Sequence, residues 1–451
     1  MARRELAGLV VGVWGVGKEG LSMARTASDA GAARIDAVDD AGRGRIAVPE
    51  EISAIARLTV YRGAEHLERF RDCDVVFVSP GVPWAHPLFT ELRSTGRASS
   101  AADWYMARHA NSTVGVTGTK GKSTTASFLG RLLATVGTNV EVAGNIGTPL
   151  SDLTPADDVV VIAEVSSQQA ALLSVSPAIA VVTNLYEDHL DWHGDVAAYY
   201  RAKANVFRNG AHTLITTPAA LAAFERVGVT EFPDVVLVDP DTVEQPNSPT
   251  VTPSSRERSS AMGYAHNVVN GALAIAAAER VIGRTVTAAE AEEARRTFEG
   301  LPARLQTVRT TGRIRWIDDT LATTGESVVA ALSAMRPDDH VAAIVGGMDR
   351  QLNYDQVDDY LCGGARRVTL IQSPSNGADI GVRFAARNPD RVYRVDSLEA
   401  AVRAAAALPD VDVVLLSPGA ASYDLFANYE AKGAAFRSLI DGLADSVGGA
   451  D

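Results

Sequence analysis

Residues 114–128 read VGVTGTKGKSTTASF, in which an apolar run leads through a glycine-bearing turn into an amphipathic stretch. This order predicts a buried strand, a tight turn and a helix over STTASFLGRLLA. At such a junction the backbone N–H groups of the turn and of the helix N-terminus converge on one point, where the helix dipole favours an anion. The segment therefore predicts a phosphate-binding loop.

The spacing of this loop differs from that of the usual P-loop, which has four residues between its first glycine and the Gly-Lys-Ser/Thr triplet. Here only two residues separate Gly118 from that triplet. Lys122 adds a positive charge, and the hydroxyl of Ser123 or Thr124 can bind magnesium. A plain strand-to-helix turn is the alternative interpretation. The residues predicted to bind the nucleotide phosphates are Gly118, Thr119, Lys120, Gly121, Lys122, Ser123 and Thr124.

Potential metal ligands follow two further apolar runs. Glu164 ends the strand pattern of VVVIAEVSS, and Asp188 and His189 end that of AVVTNLYEDHLD. The carboxyl ends of parallel strands open onto one ligand crevice, so we expect these side chains near the phosphate loop. A single histidine is more often structural. Three potential ligands beside a phosphate loop instead predict a magnesium site.

Short apolar runs alternate with helical stretches along the whole chain, which is typical of parallel α/β sheets. A chain of 451 residues exceeds what one hydrophobic core supports, so several domains are expected. The pattern predicts three α/β domains, at residues 1–107, 108–302 and 303–451. We expect Rossmann-like first and third domains around a P-loop ATPase-like central domain with a parallel sheet.

Residues 239–260 are rich in Pro, Ser and Thr and show neither a helical nor a strand period. The helix pattern that follows, HNVVNGALAIAAAERVIG, is needed to cover the sheet of the second domain. We therefore expect an exposed excursion within that domain rather than a domain boundary.

Composition excludes several classes of protein. A net charge of −13 and a pI near 5.2 argue against a nucleic-acid partner, which would need a basic face. Two cysteines, Cys73 and Cys362, offer no disulfide framework and indicate a reducing compartment. The start, MARRELAGLVVGVWGVG, resembles a buried strand more than a signal peptide, and no stretch is long enough to span a membrane. A cytoplasmic protein is expected.

Several segments resemble the Mur ligases, the ATP-dependent amide-forming enzymes of peptidoglycan precursor synthesis. They occur in the order of that family and span nearly the whole chain: GTKGKST, IAEVSS, YEDH, YYRAKANVF, HNVVN, LPAR and DDTLATT. The resemblance implies that the protein ligates glutamate to UDP-N-acetylmuramoyl-L-alanine. The reaction would pass through an acyl phosphate and yield ADP and phosphate.

The resemblance also implies two magnesium ions. In the family the lysine at the position of Lys203 is carbamylated, and its carbamate holds the second magnesium together with His189. Glu164 and the hydroxyl of Ser123 would hold the first ion. A carbamate supplies a carboxylate-like ligand where a plain lysine would repel Mg²⁺.

The ATP contacts outside the loop also follow from the resemblance. Asn267 and Asn270 of HNVVN match the adenine contacts and lie one helical turn apart on one face, although a buried polar helix face would explain that segment alone. Arg304 and Asp319 correspond to residues of the third domain that bind the ATP phosphates and ribose. The resemblance makes four residues candidates for catalysis: Lys122, His189, Lys203 and Asp319.

The first domain resembles the part of these ligases that binds UDP. The glycine turn at residues 15–20 also matches the weak GxGxxG pattern, so an NAD-binding domain is the alternative. The ligase segments that follow favour UDP, because no machinery for substrate oxidation accompanies them. The expected contacts to the UDP-substrate are Gly17, Lys18, Glu19, Asp39, Asp40, Ser79, Pro80, Gly81, Asn145, Ser166 and Gln169.

The predicted amino-acid pocket departs from the common pattern of the family. D-glutamate ligases carry a lysine at the position of Leu321, and another lysine at that of Arg350. Leucine in place of lysine removes one cation, and arginine in place of lysine exchanges a compact ammonium for a planar guanidinium. Both changes alter how the pocket binds a carboxylate. The chain looks more like a branch that adds L-glutamate, after which an epimerase inverts the residue. The expected glutamate contacts are Leu321, Thr323, Arg350, Ser422, Tyr423 and Tyr429.

Three other functions compete with L-glutamate ligation. A D-glutamate ligase with a drifted amino-acid pocket is the nearest alternative, and only an assay can separate the two. A folylpolyglutamate synthase would share the second and third domains but lacks a UDP-type domain like residues 1–107. A non-catalytic homologue would have no chemical need to keep one set of five residues together: Lys122, Glu164, His189, Lys203 and Asp319. The expected partners are small-molecule substrates, and a monomer is expected.

Overall fold

The computed structural model describes residues 5–40, 55–145, 147–242, 265–298, 300–301, 303–349, 352–364 and 366–447. The chain divides into two compact units, Met1–Phe298 and Glu299–Asp451. Of the sheets in the described residues, two belong to the first unit and one to the second. The α/β class predicted from the alternating pattern is confirmed. The domain boundaries stay predictions: residues 107 and 108 lie within a helix, and residue 302 is outside the described residues.

The first sheet consists of β1 (Val10–Trp14), β2 (Arg34–Asp39), β3 (Leu58–Arg62), β4 (Val75–Val78) and β5 (Ala98–Ser99). Its helices are α1 (Lys18–Asp29), α2 (Pro87–Ser94) and α3 (Ala101–His109). The strands are parallel, in the order β3-β2-β1-β4-β5. Alternate residues enter different cores: Val11 and Val13 pack on one face, and Trp14 and Val76 on the other. Both faces are therefore covered, as is usual for a parallel sheet.

The second sheet consists of β6 (Thr113–Thr117), β7 (Val140–Gly144), β8 (Val160–Glu164), β9 (Ile179–Val182), β10 (Thr213–Thr216) and β11 (Asp234–Leu237). Its helices are α4 (Lys122–Thr135), α5 (Ser167–Ala171), α6 (Leu190–His193), α7 (Val196–Arg208), α8 (Pro218–Arg226), α9 (Ala265–Ile282) and α10 (Ala288–Thr297). The strands are all parallel, in the order β11-β10-β9-β6-β8-β7.

Helix α9 covers the second sheet, as its sequence pattern predicted. Leu273 and Ala277 of α9 share a buried cluster with Phe128 and Leu132 of α4. Most of the Pro- and Ser-rich stretch before it, from residue 243 onward, lies outside the described residues. The expectation that this stretch is an exposed excursion therefore stays a prediction.

The third sheet consists of β12 (Gln306–Thr311), β13 (Ile314–Asp318), β14 (His340–Val345), β15 (Arg367–Gln372), β16 (Val392–Arg394) and β17 (Val413–Leu416). Its helices are α11 (Gly325–Ser333), α12 (Asp355–Cys362), α13 (Val382–Arg387), α14 (Leu398–Ala407) and α15 (Tyr429–Val447). The order is β12-β13-β17-β14-β15-β16, and every pair is parallel except the hairpin of β12 and β13. Sequence patterning did not reveal that antiparallel edge.

The loops that leave the carboxyl ends of neighbouring parallel strands carry most of the predicted site residues. In the second sheet these ends belong to β6, β8 and β9, and in the third sheet to β13, β17 and β14. Within the described stretches of the chain, no helix is both long and apolar enough to cross a membrane.

Candidate active site

The residues after β9 hold the predicted phosphate loop in place. Gly118 has φ +142°, and Thr183 Oγ1 occupies the position that a Cβ would need there. Thr183 Oγ1 donates to the carbonyl oxygen of Lys120 at 2.6 Å, and the Lys120 N–H donates to Asn184 Oδ1 at 2.9 Å. Sequence analysis missed Thr183 and Asn184, although both follow an apolar run at a strand end, as Glu164 does.

Helix α4 begins at Lys122, so the predicted strand, turn and helix are confirmed. Its N-cap, Gly121, has φ +83° and provides no side-chain cap for the first N–H groups. Uncapped N–H groups at a helix start can bind an anion. The Lys122 ammonium donates to the carbonyl oxygen of Thr119 at 3.0 Å, which brings its charge back over the loop. The hydroxyls of Ser123 and Thr124 are buried beside it.

Asn267 and Asn270 lie on α9, against the phosphate loop. Asn270 Nδ2 donates to Asn267 Oδ1 at 3.0 Å, so the two buried amides share one face as predicted. A Cβ on Gly121 would collide with the amide of Asn270, which shows how closely the loop approaches this helix. The pair is therefore adjacent to the predicted phosphate site.

Lys203 is a buried amine beside the loop. It lies on α7 and is 1% exposed, and its Nζ donates to the carbonyl oxygen of Gly118 at 2.7 Å. A longer contact of 3.5 Å joins Nζ to Thr117 Oγ1. Burial is the main reason that the pKa of Lys203 lies well below its usual value, and the charge of Lys122 lowers it further. The site therefore favours a neutral amine at this position.

Glu164 has one carboxylate oxygen without a partner. The residue ends β8 and is 1% exposed. Its Oε1 accepts a hydrogen bond from Asn145 Nδ2 at 2.8 Å, whereas its Oε2 is buried with no hydrogen-bond partner. An unpartnered buried carboxylate oxygen is costly unless a cation or donor binds it. This orphaned oxygen fits a metal ligand.

His189 lies immediately before α6 with φ +52°, in the left-handed region, and its side chain is 50% exposed. The preceding Asp188 pairs with Lys120 at 3.5 Å. The His189 ring is 6.2 Å from the ring of Tyr199, whose hydroxyl lies 3.2 Å from Thr119 Oγ1. Tyr199 thus connects the histidine to the loop, a role that its sequence position did not indicate.

Within the described ranges of the chain, side chains of His, Cys, Asp and Glu alone do not form a metal site. No group of three or more of them is placed to hold a metal among the residues that the structure describes. A site built on Glu164 would therefore need further oxygen ligands, such as the Ser123 hydroxyl, a carbamate on Lys203, or phosphate oxygens. With these additional oxygen ligands, the donor set fits magnesium.

Three side chains predicted to contact the UDP-substrate take part in hydrogen bonds that join α1 to the segments after β7 and β8 of the second sheet. Lys18 Nζ donates to the carbonyl oxygen of Gly147 at 2.6 Å. Gln169 Nε2 donates to Glu19 Oε1. Burial raises the pKa of Glu19, and the hydrogen bond from Gln169 partly offsets this. Gly17, the N-cap of α1, directly precedes Lys18 and Glu19 in the chain.

The other predicted UDP contacts lie at strand ends or next to them. Asp39 ends β2 and Asp40 follows it. Ser79, Pro80 and Gly81 follow β4, and Asn145 follows β7, while Ser166 caps α5. Ser79 and Pro80 line a small cavity together with Gln169 and Trp192. The indole N–H of Trp192 donates to the carbonyl oxygen of Val82 at 2.8 Å, and sequence analysis did not foresee this contact.

Asp319 is a buried carboxyl at the end of the third sheet. It accepts hydrogen bonds from Ser417 Oγ at 2.7 Å and from the Leu305 N–H at 3.2 Å. Burial raises its pKa to about 7, although both hydrogen bonds and the charge of Arg304 act in the opposite direction. Ala303 and Leu305 have φ of +59° and +46°, so the backbone on both sides of the exposed Arg304 is in the left-handed region.

The predicted glutamate contacts follow three adjacent strands. Leu321 and Thr323 follow β13, while Ser422 and Tyr423 follow β17, and Tyr429 begins α15. Ser422 Oγ is buried without a hydrogen-bond partner, which suits a ligand contact. Arg350, in the segment after β14, lies outside the described residues. The strands β13, β17 and β14 are neighbours in the sheet, so their loops share one edge.

A phosphate loop on a parallel sheet, with an orphaned carboxylate and a buried amine beside it, defines a nucleotide-using α/β enzyme. Comparison with known protein families narrows this class. Residues 116–219 match the Mur ligase middle domain, and residues 303–419 match the glutamate ligase domain of Mur ligases.

Similar proteins cover the rest of the chain. A UDP-N-acetylmuramoyl-L-alanine--L-glutamate ligase of a Micromonospora species is 37% identical over 98% of both chains. One from Salinispora tropica is 36% identical over 98% of this chain and 99% of its own. Other relatives, 29% to 32% identical, are UDP-N-acetylmuramoylalanine--D-glutamate ligases. The chain belongs to the Mur ligase family and is an ATP-dependent ligase that forms an amide bond.

The fold agrees with this membership. A solved MurF ligase of Thermotoga maritima in complex with ADP superposes with a TM-score of 0.53, at 15% identity. The match covers 98% of this chain and 97% of that one. At this identity the likeness concerns the fold, which is that of the Mur ligases throughout.

Proposed function

We propose that the protein ligates L-glutamate to UDP-N-acetylmuramoyl-L-alanine with ATP, as a step of peptidoglycan precursor synthesis. The observation that carries this proposal is the full-length likeness to L-glutamate ligases at 36% and 37% identity, combined with a phosphate loop of the same family. The relatives that use D-glutamate are less similar, at 29% to 32% identity.

The chemistry follows from the loop. Transfer of the γ-phosphoryl of ATP to the alanyl carboxylate makes an acyl phosphate, whose phosphate is a good leaving group for the attacking amine. Lys122 and the N–H groups at the start of α4 offset the repulsion between the two anions. Asn267 and Asn270 support the adenine, since their paired amides lie against the loop. Arg304 and Asp319 are proposed to bind the phosphates and ribose.

Magnesium is proposed at two positions, held by Ser123, Glu164, His189 and a carbamate on Lys203. The metal would supply positive charge that stabilises phosphoryl transfer. The orphaned Oε2 of Glu164 supports the first position. The second requires a modified Lys203, because an ammonium would repel the ion.

The surroundings of Lys203 favour that modification. A carbamate forms when a neutral amine attacks carbon dioxide, and the amine loses one proton in the step. Burial and the nearby charge of Lys122 lower the pKa of Lys203, so the neutral form is accessible. Arginine could not take this role, because its guanidinium stays protonated.

The UDP-substrate is proposed to bind along the first sheet and the adjoining loops of the second. Gly17, Lys18, Glu19, Asp39, Asp40, Ser79, Pro80, Gly81, Asn145, Ser166 and Gln169 are its proposed contacts. Asn145 and Gln169 already contact Glu164 and Glu19, respectively. These contacts support a site in which the nucleotide sugar and the metal ligands share neighbouring residues.

The incoming glutamate is proposed to contact Leu321, Thr323, Arg350, Ser422, Tyr423 and Tyr429. The unpartnered Ser422 hydroxyl supports this assignment. Leucine at 321 and arginine at 350 replace two lysines of the D-glutamate ligases, which supports a pocket for the other stereoisomer. If L-glutamate is added, an epimerase must invert that residue of the product later. We further propose a cytoplasmic monomer, whose mass light scattering can test.

The decisive experiment follows phosphate release from ATP with UDP-N-acetylmuramoyl-L-alanine and magnesium. L-glutamate, D-glutamate and no amino acid are compared in parallel. Faster turnover with L-glutamate is the expected result. A preference for D-glutamate would assign the protein to the more common branch, and turnover with neither would refute ligase activity on this substrate.

A further inference from the structure

The chain is nearly devoid of lysine. Only five of its 42 Lys and Arg residues are lysines, at positions 18, 120, 122, 203 and 432. Arginine therefore supplies almost all positive charge, and each remaining lysine marks a place where a compact ammonium or a neutral amine suits better. The first four lie at or beside the sites described above. Lys432 has no role so far.

Lys432 is buried at the carboxyl end of the third sheet. It lies on α15, is 4% exposed, and donates from Nζ to the carbonyl oxygen of Gly346 at 2.8 Å. Gly346 directly follows β14 and has φ +116°. The Gly346 N–H donates to the carbonyl oxygen of Pro418, and the Met348 N–H donates to that of Ala421, both at 2.8 Å. The Lys432 ammonium thus stabilises the place where the loops that follow β14 and β17 contact each other.

The charge of Lys432 is poorly compensated. Burial lowers its pKa to about 8, and the carboxylate of Asp424 is the group that opposes this shift. Asp424 Oδ2 accepts from Ser375 Oγ at 2.8 Å, but its Oδ1 is buried without a hydrogen-bond partner. Ser422, two residues earlier, has an unpartnered buried hydroxyl as well. Buried polar atoms without a hydrogen-bond partner are rare in folded proteins, and a catalytic role is one of the explanations for them.

We propose that Lys432 is a positioning residue for the incoming amino acid, through its hydrogen bond to the Gly346 carbonyl oxygen. The bond fixes the turn at Gly346 and Gly347 against the loop that carries Ser422. This inference rests on the proposed ligase function, in which both loops bind glutamate. Lys432 acts through these loops and does not itself contact the substrate.

The test separates amino-acid binding from the earlier chemistry. Lys432→Met keeps the approximate length of the side chain and removes the ammonium. Hydroxylamine replaces glutamate in a parallel assay, because it traps the acyl phosphate as a hydroxamate and needs no carboxylate pocket. We expect the KM for glutamate to rise about tenfold or more, which corresponds to the loss of one charge-assisted contact. Hydroxamate formation and the KM for ATP should remain within about twofold of wild type, well below that tenfold change.

The matched control is Arg403→Met, which removes an exposed cation of α14 in the same unit. It should leave both assays unchanged. Lys432→Arg keeps a positive charge but replaces the compact ammonium with a planar guanidinium. The KM for glutamate should therefore rise less in Lys432→Arg than in Lys432→Met. Lys432→Arg also provides a second variant should the methionine variant melt below the assay temperature.

An equal loss of glutamate ligation and hydroxamate formation in the folded variants would overturn the inference, because Lys432 would then only stabilise the fold. An unchanged KM for glutamate would overturn it too. Failure of the proposed function gives a different result, since wild-type protein would form neither product with the UDP-substrate and ATP.

Discussion

Lys203 Nζ lies 2.7 Å from the carbonyl oxygen of Gly118, so helix α7 places a buried amine directly beneath the phosphate loop. A charged amine there would face Lys122, whose charge lowers the Lys203 pKa, and it would lose the solvation that water provides. A carbamate reverses the sign of the charge and can receive a metal ion. The hydrogen bond from Lys203 to the Gly118 carbonyl oxygen therefore holds at the loop the amine that the proposed metal chemistry requires.

Incubation with ¹³C-bicarbonate should label Lys203. We expect a carbamate signal in the ¹³C NMR spectrum of the wild-type protein and its loss in Lys203→Ala, together with a fall in kcat of about 100-fold or more, the size expected when a charge-stabilising group is removed. Arg201→Ala, on the same helix but exposed, should keep both signal and rate. An unlabelled wild-type protein with full activity would show that the lysine acts unmodified.

Gly118→Ala should destabilise the protein and abolish ATP binding. The added Cβ meets Thr183 Oγ1, which holds the loop through Lys120, and the φ of +142° is unfavourable for alanine. We expect a loss of about 2 kcal/mol or more in unfolding free energy, measured by urea denaturation.

Gly137→Ala is the control for the backbone effect. Gly137 has φ +85°, but no atom lies within 4 Å of the position that an added Cβ would take. The substitution should cost only about 1 kcal/mol and leave the KM for ATP unchanged. Equal behaviour of the two variants would mean that contact with Thr183 is not what requires glycine in the loop.

Local features of the site could be predicted from sequence, whereas long-range contacts could not. The strand, turn and helix around Lys122 depend on neighbouring residues, so their pattern revealed them. The contact of Thr183 with the loop depends on β9 lying beside β6, and the sequence does not state that strand order. The antiparallel β12 was missed for the same reason. Gln169 and Glu19 are 150 positions apart, and only the fold brings them together.

Asp319→Asn should change how stability depends on pH. Because the folded-state pKa of Asp319 is raised to about 7, the folded protein keeps a proton that the unfolded chain has already lost above about pH 4. The unfolded state thus binds fewer protons between these values, and this residue makes stability fall as pH rises. The loss is complete above about pH 7 and amounts to at most about 4 kcal/mol.

An asparagine can accept from the Leu305 N–H and donate to Ser417 Oγ without carrying a charge. We therefore expect Asp319→Asn to flatten the decline in unfolding free energy between pH 5 and pH 7.5, measured by urea denaturation without nucleotide. Ligase activity should fall strongly, because the Asp319 carboxylate is proposed to bind ATP. A parallel decline in both proteins would show that Asp319 does not carry the pH dependence.

Leu321→Lys should weaken the preference for L-glutamate. Leu321 follows β13, and its N–H donates to the carbonyl oxygen of Ala303 at 3.0 Å, so the backbone at this position is fixed independently of the side chain. A lysine there adds the cation that D-glutamate ligases carry, and a new ion pair favours whichever stereoisomer directs its carboxylate toward it. The ratio of kcat/KM for L- over D-glutamate should fall about tenfold, a difference of about 1.4 kcal/mol.

The control is Ser333→Lys, at an exposed position of α11. It adds the same charge outside the pocket and should leave the ratio unchanged. An unaltered ratio in Leu321→Lys would place the choice of stereoisomer elsewhere, and Arg350 would be the next residue to exchange for lysine.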